Sequence, residues 1–76
     1  MVFFEPRLVY DPAIIEVRDG VNVYDFEKMT EAMTKAWDWT YLEAVEWIDY
    51  NMGPCGIENW PIIHYPENSE EEDGNG

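Results

Sequence analysis

The sequence predicts a small α+β domain. A β-hairpin, a two-helix hairpin and a final strand follow one another in the order ββααβ, with the helices packed on one face of a small antiparallel sheet. Three observations predict this. Asp19-Gly20 lies between two β-branched runs, and Asp-Gly is a strong two-residue hairpin signal because both turn positions need positive φ. Thr40 to Gly53 carries both a helix start and a helix stop. Pro61-Ile62-Ile63-His64-Tyr65 reads as a last strand that Pro66 ends.

Met1 to Pro12 reads as an N-terminal arm or an edge strand. Its apolar runs, Val2-Phe3-Phe4 and Leu8-Val9-Tyr10, are interrupted by Pro6 and Pro12. Residues 13–66 form the single domain. The hairpin spans Ala13 to Asp25, with Ile14, Ile15 and Val17 in its first strand. In its second, Val21 and Val23 share one face, and Asn22 and Tyr24 share the other. The first helix runs from Asp25 to Trp37. Asp25 is its N-cap, and Tyr24 packs on Met29 as a hydrophobic staple. Phe26, Met29, Met33 and Ala36 or Trp37 make the core stripe, and Glu31 and Lys35 pair at i, i+4. Asp38-Trp39 is a tight link, which implies an antiparallel or steeply crossed helix pair.

In the second helix Thr40 is the N-cap and Glu43 reaches back to the Thr40 N–H, a capping box. Leu42, Val45, Ile48 and Met52 are expected to face the core. Gly53 is expected to close the helix in a left-handed conformation, and Pro54 forbids continuation. Glu67 to Gly76 has no apolar residue and is expected to be a disordered acidic tail.

Twelve of the 76 residues are aromatic, four of them Trp, which is more than so small a core encloses. One or two Trp should stay partly exposed. Seventeen acids face four bases, for a net charge of −13; the tail holds five of the acids and no base, which leaves −8 on residues 1–66. Direct binding of nucleic acid needs clustered Lys and Arg, which the chain lacks. The same field repels an anionic membrane surface and attracts a basic protein, including one whose groove holds DNA or RNA. Cys55 is the only cysteine, so neither an intrachain disulfide nor a zinc framework can form. With no signal-peptide pattern and no membrane-length apolar run, a soluble cytoplasmic protein is expected.

The partner-binding residues expected from this field are Glu43, Glu46 and Asp49 on one face of the second helix, with Glu58 extending it. No base follows Lys35 to offset them. Trp47, Tyr50 and Trp60 are the aromatic anchors beside these acids. Cys55 and His64 are the only classical nucleophile and base. They come without an oxyanion turn or an orienting third residue, so no catalysis is expected; Cys55 reads as a small packed thiol and His64 as an outward strand residue. No metal or cofactor is expected either, because the tail acids have no central glycine or scaffold to arrange them as a calcium loop.

The strings Val23-Tyr24-Asp25-Phe26-Glu27-Lys28-Met29 and Glu43-Ala44-Val45-Glu46-Trp47-Ile48-Asp49-Tyr50-Asn51 resemble a family of short phage, prophage and bacterial proteins. That family shares a VYDYDKM-like strand-to-helix junction and an EEAVEWIDYN-like helix. The resemblance spans about Ile15 to Ile63 and includes Pro61-Ile62-Ile63. It carries over no catalytic residue. It implies phage or prophage origin; taken with the small size and acidic charge, the expectation is a phage-type inhibitor of a basic, nucleic-acid-handling host or defence protein such as a CRISPR effector. An anti-CRISPR-like protein that mimics nucleic acid would fit. The alternative is a structural or accessory interaction domain, with a homodimer that buries aromatic surface.

Overall fold

The computed structural model describes residues 1–66, so the expected tail, 67–76, lies outside the described residues. The chain forms α1 (Arg7–Tyr10), a 3-10 turn (Asp11–Ala13), β1 (Ile14–Arg18), β2 (Val21–Asp25), α2 (Phe26–Trp37), α3 (Tyr41–Asn51) and β3 (Ile62–His64). The expected ββααβ order is present, preceded by a helical segment. β1 and β2 pair antiparallel, and Arg18 opposite Val21 closes the two-residue turn. Asp19 and Gly20 both take positive φ, 54° and 80°, as the turn requires.

The sheet order is β1-β2-β3, and β3 runs parallel to β2, with Val23 opposite Ile62 and Asp25 opposite His64. The sheet is therefore mixed, not antiparallel. The helical pair and the loop behind it form the long crossover that a parallel neighbour needs. A strand reached by so long a connection carries no local signal of its direction.

The first twelve residues make no edge strand. Pro12 sits in the 3-10 turn, and Phe4, Tyr10 and Ala13 are buried in the core. The arm is tied to the central strand by two side chains of one β2 face. Asn22 Nδ2 donates to the Val2 carbonyl at 2.7 Å, and the Phe4 N–H donates to the Tyr24 hydroxyl at 2.9 Å. The segment was hard to read from sequence because its apolar residues are held by partners distant in the chain.

α2 is capped as expected: the Asp25 carboxylate accepts the Lys28 N–H at 2.9 Å. Phe26, Met29 and Met33 are buried with Tyr24, so the residues of the expected staple meet in one core. Trp37 lies at the rim, and Asp38 ends the helix in the left-handed region at φ 58°.

α3 turns inward most of the face its larger apolar residues suggest, with Leu42 the exception. Ala44, Ile48 and Met52 are buried, Val45 is half-buried, and Leu42 is 64% exposed. Ala44, Ile48 and Met52 form one i, i+4 row. Leu42 lies two positions before Ala44, about 200° around the helix. The small side chain at Ala44 lets α3 approach the core closely, and Leu42 is left in solvent.

The end of α3 also differs. Gly53 does not adopt positive φ; the helix closes at Met52, whose N–H donates to the Ile48 carbonyl at 2.8 Å. A Cβ on Gly53 would lie 3.3 Å from the Asp49 carbonyl oxygen, so glycine serves a close approach there. No helix among the described residues is long and apolar enough to cross a membrane.

Candidate functional site

α3 carries five of the seven expected partner-binding residues: Glu43, Glu46, Trp47, Asp49 and Tyr50. Its start is fixed by the capping box. Thr40 Oγ1 accepts the Glu43 N–H at 3.1 Å, and Glu43 Oε1 accepts the Thr40 N–H at 2.8 Å. One carboxylate of the acidic face is therefore already engaged in holding the helix.

With Ala44, Ile48 and Met52 turned inward, Leu42, Glu46 and Tyr50 form the i, i+4 row on the opposite side. Glu43 and Asp49 flank it. Tyr50 is 84% exposed, more than any other aromatic, and with Leu42 it places apolar surface among the acids. Leu42 is the residue of this face that sequence reading assigned to the core. Its signal was present in the i, i+4 alignment with Glu46 and Tyr50.

The face has no internal counter-charge. Among the described residues Arg7 pairs with Asp11 at 3.0 Å, Arg18 with Glu16 at 2.8 Å and Lys35 with Glu31 at 3.6 Å. Among the described residues Glu43, Glu46, Asp49 and Glu58 make no ion pair. The last turn of α3 contains no basic residue, so Asp49 adds to the negative end of the macrodipole instead of offsetting it. Burial, and then the Asp49 charge, raise the Tyr65 phenol above its ordinary pKa.

The two Trp anchors are placed differently. Trp47 is 44% exposed and ends a run of neighbouring rings. Trp39 lies 5.6 Å from it, Trp37 lies 5.2 Å from Trp39, and Tyr10 lies 6.0 Å from Trp37. Trp60 is tied inward. Its indole N–H donates to the Gly53 carbonyl at 2.9 Å, and its ring meets Phe4 edge-on at 5.5 Å. This clamps the loop after α3, in which Glu58 is exposed. All four Trp are at least partly exposed, more than the one or two expected.

Beside that loop a groove of about 340 Å³ is lined by Pro54, Cys55, Trp60, Ile62 and Tyr65, among others. Cys55 is exposed, not packed as expected, because the loop carries it outward past Pro54. His64 is exposed on β3 and does not line this groove. Among the described residues no hydrogen bond joins the two, as a nucleophile and base would need. Among the described residues no three His, Cys, Asp or Glu side chains cluster as metal ligands would.

No family model, curated protein or solved structure matches the chain.

Proposed function

We propose that this protein is a small acidic interaction protein that binds a basic, nucleic-acid-handling protein through the outer face of α3. One observation carries the reading: Leu42, Glu46 and Tyr50, flanked by Glu43 and Asp49, form an exposed helix face without a basic partner among the described residues. A net charge of −13 draws a cationic surface in from a distance. The exposed Tyr50 ring and Leu42 supply area that a partner can desolvate. Carboxylates spaced along one face can occupy sites that otherwise hold phosphates. The resemblance to short phage proteins extends the proposal to inhibition of a host or defence protein in the cytoplasm.

Charge reversal tests it. Glu43 stays in place because it caps the helix, and Glu46→Lys with Asp49→Lys reverses the free acids. The doubly reversed protein should fold and lose capture of the basic partner. Undiminished capture would reduce the face to a solubilising surface. The competing reading, an accessory domain that binds through apolar surface, predicts capture indifferent to both substitutions and to salt.

A further inference from the structure

β1 is an outer strand of the sheet, so one side of its backbone is unpaired. The hairpin geometry says which groups lie there. In a two-residue turn the flanking residues, Arg18 and Val21, exchange hydrogen bonds, and the pattern alternates along the ladder. Glu16 therefore bonds toward β2, and the Val17 N–H and C=O point to the open edge. A bulge between Ile14 and Glu16 interrupts the ladder before this point, confining the regular edge to Glu16, Val17 and Arg18.

We propose that this edge pairs with β1 of a second copy, antiparallel, about a two-fold axis through Val17. That register is the one the charges select. Val17 faces Val17 of the second copy, and each Val17 N–H donates to the other's carbonyl. Glu16 faces Arg18 of the second copy, and Arg18 faces its Glu16, on the same side of the sheet. These are non-hydrogen-bonded positions, where opposite side chains approach most closely. An alternating acid and base on an edge strand is self-complementary under a two-fold, which is the requirement of an isologous contact. Moving the two-fold axis by one residue in either direction sets Glu16 against Glu16 or Arg18 against Arg18.

The locality of the charge supports this edge over other surfaces. Glu16 and Arg18 are 55% exposed or less and already ion-paired within one strand, so these two positions balance each other on a chain of −13, with Asp19 the acid beside them at the turn. Val17 is 54% exposed and gains cover from its counterpart. The product is a six-stranded sheet that displays two α3 faces. It stands whether or not those faces bind a basic protein.

Sedimentation velocity on the full chain, over a concentration series at moderate salt, tests the proposal. The wild type should show a sedimentation coefficient that rises with concentration. Arg18→Glu alone and Glu16→Arg alone should each lose that rise, since each sets like charges face to face. An equimolar mixture of the two reversed chains should regain it, and so should Glu16→Arg combined with Arg18→Glu, which leaves the net charge at −13. Circular dichroism checks that each variant folds. A wild type that stays monomeric throughout overturns the proposal. So does association that survives the single reversals, which would place the contact at the rim aromatics or the β3 edge. A mixture that fails to regain association also overturns it.

Discussion

The Tyr24 hydroxyl accepts the Phe4 N–H at 2.9 Å, while the two rings lie 4.7 Å apart at an interplanar angle of 38°. One residue of the central strand thus satisfies the arm's backbone and packs against its side chain. Tyr24→Phe keeps the ring and strands a buried donor, which costs about 1–3 kcal/mol. Phe4→Ala should cost about 3–5 kcal/mol, the usual loss for a buried aromatic. Urea denaturation measures both. An arm that only lies on the body would show neither.

Burial pushes the Tyr10 phenol up to about 12, and burial also raises Tyr24. Both pKa values lie above the unfolded value of about 10. The associated stability is present below pH 10 and is lost as pH rises toward 12, because the unfolded chain ionises first. Tyr10 alone accounts for roughly 2–3 kcal/mol of that loss. Chemical denaturation at a series of alkaline pH values should show stability falling through this window. Tyr10→Phe should flatten the fall.

The inward face of α3 is tested by a pair of substitutions. Ile48 is fully buried and Leu42 is 64% exposed. Ile48→Ala should cost about 2–5 kcal/mol and Leu42→Ala less than about 0.5 kcal/mol. Thermal unfolding of the two variants gives the comparison. Equal costs would place Leu42 in the core after all.

These elements also show what local chemistry encodes. The Asp19-Gly20 turn, the Asp25 cap and the Thr40–Glu43 box were legible because each is decided within four residues. The exchange of Leu42 for Ala44 on the inner side of α3 was not. Val45, Ile48 and Met52 turn inward as their spacing implies, but the buried stripe is completed by Ala44 and not by Leu42. The direction of β3 and the capture of Phe4 by Tyr24 depend on contacts twenty or more residues apart, for which the sequence holds no spacing rule. Of the expected partner-binding residues, the α3 acids and Tyr50 lie on exposed surface, while Trp60 is tied to the core.

Asp49 occupies the last turn of α3, where a cation suits the macrodipole, and Glu46 lies three residues before it. Asp49→Lys should therefore raise stability by about 0.3–1 kcal/mol, read as a higher denaturation midpoint. If the acidic face binds a partner, the same substitution should weaken binding. The acid would then be held at a cost to the fold.

An acidic helix face that occupies a basic nucleic-acid-binding surface must compete with nucleic acid for it. A protein captured from the cell of origin by the immobilised wild type is purified and loaded with labelled nucleic acid, and the unlabelled chain is titrated in. The nucleic acid should be displaced, with affinity falling as salt rises above 0.1 M, where the Debye length is already about 10 Å. The chain carrying Glu46→Lys and Asp49→Lys should displace none. Displacement by that variant at wild-type affinity, or wild-type binding that leaves the nucleic acid in place, would show that the α3 acids do not occupy the nucleic-acid site.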